Sequence, residues 1–430
     1  MRRRPLGRTG GLLGTLVATL GLLVGLETDA AASQKIPPPT IGTYLGAFVD
    51  PNARWDGVTK QQGEVRRLER IVGRKLRIDH HYYGWSGSSQ MFPAAIDRWD
   101  VAHGRIPLIS WEGTDLNSIN SGSQDSVIKA RARRVKSFGH RVFISWGYEM
   151  NGDWNSWSGI RNNSPGRTDG PAKFVSAWRR IHKIFTKVGA TNATWVWTPN
   201  DRDVPSAAWN HWTRYYPGDD YVDWVGVDGY NWGTLKSWST WTPFSSLFRG
   251  IYRDYSRRKP IMVHETGSAE HGGDKGKWIS GMWTTLVYRY PAIKAIVWMD
   301  CGPDWKIETS GSSVASFKRM ANSPFFRQRR DTTAPYVRDL SAPGYRVTSP
   351  IALGYRLSEP ARVRVIIKSL AGNVVRIMGG APVSPGSHSF TWNLKNGSGH
   401  RVPAGEYHWT VQATDASRNG RRVTETVAVG

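Results

Sequence analysis

A chain of 430 residues with 39% hydrophobic and 21% charged residues is long enough for one large core, or for a large and a smaller domain. Its single cysteine, Cys301, excludes an intrachain disulfide framework, and a lone thiol reads as a small buried apolar group without a catalytic role. The net charge of +24 is spread along the chain, which favours an anionic cell-wall or extracellular polymer as a partner; no zinc-ligand spacing or RNA-binding signature accompanies it to argue for nucleic acid.

The chain begins with a basic stretch, "MRRRPLGR", followed by the apolar run Gly11–Leu26 and the small residues "DAAAS". That order predicts a signal peptide over 1–32 and a secreted protein, because the apolar run is short of the roughly 20 residues a membrane span needs. Eight apolar segments then recur, starting at Thr43, Leu76, Ile106, Val142, Ala193, Val222, Lys259 and Ala292. Helix-like patterns such as "DSVIKARARRVKSFGH" and "PAKFVSAWRRIHKIFTKVG" lie between several of them. Strand alternating with helix predicts parallel βα units, and eight units predict a (β/α)8 TIM barrel over 36–325. An open doubly wound sheet is disfavoured, since no G-x-G-x-x-G turn follows the first strand.

The texture changes after Phe326. "RQRRDTTAPYVRDLSAPG" is charged and Pro-punctuated, and predicts a linker over 326–345. Beyond it, "RVRVIIKSL", "NVVRIM", "HSFTWNL", "EYHWTVQAT" and "RVTETVAV" alternate polar with apolar between Gly, Pro and Asn turns, predicting a small all-β sandwich over 346–430.

Active sites of such barrels lie at the carboxyl ends of the strands. That rule selects Glu112, Glu149, Asp228, Glu265 and Asp300. Period-2 alternation puts Phe143, Ser145, Gly147 and Glu149 on one face of the fourth strand, and Ile261, Val263 and Glu265 on one face of the seventh. Glu149 and Glu265 would then face each other across the barrel mouth. Two such carboxyls are the minimal equipment for cleaving a glycosidic bond, one protonated to assist the leaving oxygen and one ionised. Glu149, set among Trp146, Tyr148, Trp154 and Trp157, suits the acid/base because apolar surroundings raise a carboxyl pKa; Glu265, beside His264 and Thr266, suits the nucleophile.

Of the 22 tryptophans, all but Trp392 and Trp409 precede residue 331, and Trp85, Trp111, Trp146, Trp197, Trp232 and Trp298 fall at or near strand ends. Aromatic platforms bind the apolar C–H faces of sugar rings, so these are candidate subsite residues. No metal or cofactor is expected: "HETGSAEH" lacks the H-E-x-x-H spacing, and no G-x-S-x-G elbow supports a serine triad.

The blocks "WGYEMNGDWNSW", "VGVDGYNW" and "MVHETG" resemble those of glycoside hydrolase family 26, whose members are chiefly β-mannanases, over roughly 36–325. The resemblance implies a retaining mechanism through a covalent glycosyl-enzyme, with Glu149 as acid/base and Glu265 as nucleophile. It further implies Tyr230 as the residue orienting the nucleophile, with Trp154 and Trp298 as sugar platforms. Tyr148, Asn151, Trp232, Trp85 and Trp111 complete the expected substrate-binding set. Two departures stand near the subsites: Tyr148 occupies the position where the family usually has His, and the last strand reads "VWMDC" rather than continuing Trp-Arg. The C-terminal piece resembles the immunoglobulin-like domain of the flagellar hook-capping protein. The expected protein is thus a secreted bacterial, monomeric endo-β-1,4-mannanase, with a mixed-linkage glucanase, a xylanase or an inactive glycan-binding barrel as alternatives.

Overall fold

The computed structural model describes residues 35–50, 58–87, 91–344 and 346–430. The expected signal segment 1–32 lies outside the described residues. Eight parallel strands close into a barrel in sequence order: β1 (Tyr44–Val49), β2 (Ile78–Tyr83), β3 (Ile106–Trp111), β4 (Val142–Trp146), β5 (Ala193–Trp197), β6 (Trp224–Asn231), β7 (Ile261–Ser268) and β8 (Ile293–Asp300). Helices cover the outside. The helix Gly170–Val188 shows how sequence sets them: Pro171 pre-forms its first turn, Gly189 ends it at φ 78°, and Phe174, Ala177, Trp178, Ile181 and Phe185 form the buried stripe.

Inside the barrel, side chains stack in layers. The lowest is apolar, with Tyr44, Ile78, Leu108, Phe143, Val196, Trp224, Met262, Ala295 and Val297. Further along the strands the inward positions become polar: His80, Ser110, Ser145, Thr198, Asp228 and His264 are all fully buried. The intervening residues, including Ile109, Ile144, Val225, Val263 and Ile296, join the larger core under the helices.

The all-β part holds a three-stranded sheet ordered β13-β10-β9 and a four-stranded sheet ordered β12-β11-β14-β15. Its strands are β9 (Val337–Ser341), β10 (Ile351–Leu357), β11 (Ala361–Ser369), β12 (Val374–Val383), β13 (Gly386–Trp392), β14 (Gly405–Thr414) and β15 (Gly420–Val429). All strand pairs here are antiparallel, and Trp392 and Trp409 fill the core between the sheets. β9 lies inside the span expected to be linker. Its pattern is poorly alternating, and pairing with β10 rather than local propensity makes it a strand.

Candidate active site

Glu149 is not on a strand. β4 ends at Trp146, and the chain then turns through Gly147 at φ 60° and Glu149 itself at φ 53°. A side chain at Gly147 would meet Phe174 Cε2 at 3.0 Å, so both conformation and space select glycine there. A non-glycine residue at positive φ is strained, by about 1–3 kcal/mol. The surroundings hold it: Glu149 N donates to Thr198 O at 2.7 Å, and Gly152 N donates to Glu149 O at 3.0 Å. The Glu149 carboxylate accepts from Asn200 Nδ2 at 2.6 Å and from Trp154 Nε1 at 2.8 Å.

Asn151 is buried and acts on this loop from behind. Its amide donates to Asn200 O at 3.0 Å and Asp203 Oδ1 at 2.9 Å, and accepts from Asn200 N at 2.8 Å. It therefore ties the loop after β4 to the loop after β5 and sets Asn200 against Glu149. Asn151 positions the site and does not line the cleft.

Glu265 reaches the barrel interior by a different route from the one expected. Ile261 and Val263 face the helices, whereas Met262 and His264 face inward. Strict alternation would then turn Glu265 outward. The register of β7 slips against β6 between Val227 and Asp228, and against β8 between Val263 and Thr266; this irregularity returns Glu265 to the interior. Glu265 accepts hydrogen bonds from the Tyr82 hydroxyl and from the Tyr230 hydroxyl, the latter at 2.8 Å. Beneath them, His264 Nδ1 meets Asp228 Oδ1 at 2.7 Å, and Ser110 Oγ bridges His264 Nε2 at 3.0 Å to His80 Nε2 at 2.7 Å.

Burial raises Glu265 to about 8, with Asp228 and then Glu149 adding like charge, while His264 and the Tyr82 hydrogen bond oppose it. Glu149 is also raised, by burial first, against the hydrogen bonds from Asn200 and Trp154. Glu265 was expected to be kept ionised by its neighbours His264 and Thr266, whereas burial raises both carboxyls. The ionised form of Glu265 is nevertheless the one its surroundings serve, because two O–H donors on opposite strands aim at its two oxygens. Asp228 is raised well above the carboxylate range by burial and by Glu149, and its Oδ2 has no partner.

Glu149 and Glu265 line one cavity of about 580 Å³, walled by Trp154, Asn200, Tyr230, Trp232, Trp238 and Trp305 among others. The expected Trp154, Tyr230 and Trp232 are thus on the cleft. Trp154 is 45% exposed and Trp238 60%, so both rings present surface to a ligand, Trp238 with Arg202 over its ring at 5.7 Å.

The remaining expected platforms are not on the cleft. Trp85 and Trp111 stack on each other at 4.7 Å in the core, and Trp298 is buried against Trp278 and Phe317. The reason is alternation: Val297 and Met299 point inward, so Trp298 points to the helices, as Trp111 does beside inward Ser110. Trp146 and Trp197 are buried in the same outer core. Tyr148 is half-buried between the rings of Tyr82, at 5.7 Å, and Trp157, at 5.3 Å, and is not among the residues lining the cavity. Of the other carboxylates, Glu112 is exposed, and Asp300 holds Arg67 at 3.0 Å. Cys301 lines the cleft instead of filling the core, and burial with the carboxylates of Asp50 and Glu265 pushes its thiol up to about 12.

Tyr82, Asn200, Trp238 and Trp305 were not anticipated. Tyr82 had a signal, since it continues the inward series Ile78, His80 along β2. Trp238 sits on a loop and Trp305 ends the four-residue helix Gly302–Trp305, too short for a periodicity to mark it.

Among the described residues, His80–His264–Glu265, Asp79–His81–Asp100 and Asp331–Glu359–Asp415 each bring three ligand-type atoms within 4.8 Å. In the first, both oxygens of Glu265 are taken by tyrosines, and the facing nitrogens of His80 and His264 by Ser110. In the second, His81 is held between Gln61 at 2.9 Å and Asp100 at 2.8 Å.

A closed barrel with two carboxyls in one aromatic-walled cleft has the architecture of a glycoside hydrolase. Residues 77–253 match the model of Glycosyl hydrolase family 26, and residues 345–417 that of the FlgD Ig-like domain. The chain is 33% identical over 306 residues to Endoglucanase H of Acetivibrio thermocellus, covering 70% of this chain and 32% of that protein. It is 39% identical over 85 residues to Mannan endo-1,4-beta-mannosidase A and B of Caldalkalibacillus mannanilyticus, covering 20% of this chain and 15% of the relative. It is 24% identical over 158 residues to Beta-1,3-xylanase TXYA of a Vibrio species, covering 35% and 29%. The chain thus spans no more than about a third of the length of each of these relatives.

Proposed function

We propose that this protein is a secreted endo-β-glycanase that cleaves β-1,4-mannan-type polysaccharide with retention of configuration. The observation that carries the reading is the pairing of Glu149 and Glu265 in one cleft, each carboxylate held by two donors. Glu265 Oε attacks the anomeric carbon while Glu149 gives its proton to the leaving glycosidic oxygen. Water, deprotonated by Glu149, then displaces Glu265 and releases the sugar. Tyr82 and Tyr230 fix the Glu265 oxygens and yield their hydrogen bonds as charge leaves the carboxylate. The exposed rings of Trp154 and Trp238 support an extended chain crossing the cleft.

A β-glucan substrate is the second reading. It is favoured by the extent of the Endoglucanase H match, which covers 70% of this chain and 32% of that protein. Incubation with mannan, glucomannan, lichenan and xylan, followed by product sizing, separates the readings. Glu149→Gln and Glu265→Gln should each abolish reducing-sugar release while leaving glycan binding intact. A wild type that binds but cleaves none of the panel would make the barrel a glycan-binding module.

A further inference from the structure

Between the barrel and the sandwich lies a cavity of about 360 Å³ that glycan cleavage does not use. It is lined by Arg319 from the barrel helix Gly311–Ala321, by Tyr336 and Arg338 at β9, and by Arg356, Leu357 and Ser358 at the end of β10. Arg338 and Arg356 are direct cross-strand neighbours in the antiparallel ladder. Like charges in that position destabilise a strand pair. Arg319 adds a third guanidinium from the other domain, and burial together with Arg356 and Arg338 pulls its pKa down.

Neutralising partners are scarce. Among the described residues, Arg338 has only its exposed neighbour Asp339, at 3.7 Å, and neither Arg319 nor Arg356 forms an ion pair. The carboxylates that could have served, Asp331, Glu359 and Asp415, gather at a separate cavity of the same domain junction. Arg319 lies in the last turn of its helix, where a cation is favoured. That accounts for one of the three charges but not for the pair opposite it. A fourth guanidinium, Arg421, lies 5.1 Å over the ring of Tyr336.

We propose that this cavity is an oxyanion-binding site, for a phosphate, sulfate or carboxylate group that is either free or carried as the repeat of an anionic polymer, and that the bound anion fastens the sandwich to the barrel. Guanidinium groups suit this because their planar forks give paired, charge-assisted hydrogen bonds to such oxygens. Arg338 and Arg356 are exposed and Arg319 is half-buried, so their forks can engage a tetrahedral oxyanion at the cavity, whose charge offsets the repulsion between them.

The test is thermal unfolding and titration calorimetry of the whole chain, wild type against R319Q, R356Q and the double variant. Sodium phosphate is compared with sodium chloride at equal ionic strength. The expected result is saturable phosphate binding and a raised Tm for wild type, with at least tenfold weaker binding in each single variant. Without phosphate at low salt, R356Q should be as stable as wild type or more so, because a repulsive pair has been removed; β-glycan cleavage should be unchanged. Two arms identify the source: poly(glycerol phosphate) binding more tightly per phosphate than inorganic phosphate indicates a polymer-borne anion, and equal binding indicates a free one. Phosphate that stabilises wild type no more than chloride does, or that stabilises the double variant equally, overturns the proposal.

Discussion

Replacing Tyr82 with Phe removes one O–H donor from Glu265 and leaves the rest of the site in place. In the wild type this hydrogen bond is one of the forces holding down a carboxyl that burial has raised to about 8. A hydrogen bond to a charged group is worth about 1.5–3 kcal/mol. At about 1.4 kcal/mol per pH unit, its loss should raise the ionisation of Glu265 by about one to two pH units. The sign is upward, because the bond stabilises only the ionised form. A dinitrophenyl β-glycoside isolates the effect, since so good a leaving group needs no proton from Glu149. The acid limb of kcat/KM on that substrate should lie near 8 for wild type and move to higher pH in Y82F. At pH 7 the variant should be about 10- to 100-fold slower, with the deficit shrinking as pH rises. A limb that stays where it was, or moves to lower pH, would refute the assignment of Glu265 as the ionised group and of Tyr82 as its donor.

Glu265 also makes stability depend on pH. Its folded-state pKa of about 8 stands above the ordinary 4.5, so its contribution is fully present below about 4.5 and is lost as pH rises toward 8. Glu265→Gln should therefore match wild type in Tm near pH 4.5 and exceed it increasingly up to pH 8; equal Tm across that range would contradict the burial argument. Trp298→Ala should destabilise the barrel by about 3–5 kcal/mol in denaturant unfolding, the usual loss for a buried aromatic. Trp238→Ala, by contrast, should leave the unfolding midpoint unchanged and raise KM for polysaccharide. If Trp298→Ala affected KM alone, its placement in the core would be wrong.

The barrel was legible because its strands are bounded by turns and spaced by amphipathic helices. Glu149 and Glu265 were legible from their positions at strand ends. What alternation could not supply was the way either glutamate turns inward. Glu149 gets there through a turn with Gly147 and Glu149 itself at positive φ, and Glu265 through a register slip that no residue type announces. The tryptophans show the opposite failure. Proximity to a strand end was read as exposure to the cleft, whereas parity along the strand decides the matter, and Trp111 and Trp298 have the wrong parity. Tyr82 was readable by that same parity. Trp238 and Trp305 were not, because a loop and a single helical turn carry no readable period. β9 was hidden in the linker because its partner, β10, makes it a strand.

The most direct measurement is to inactivate the enzyme with a 2-deoxy-2-fluoroglycosyl fluoride of the sugar it cleaves, then map the labelled peptide by mass spectrometry. The fluorine slows breakdown of the glycosyl-enzyme more than its formation, so a covalent intermediate accumulates. The account predicts one sugar per chain, attached to Glu265 and absent from Glu265→Gln. Time-dependent turnover without any label, or a label on Glu149, would contradict it.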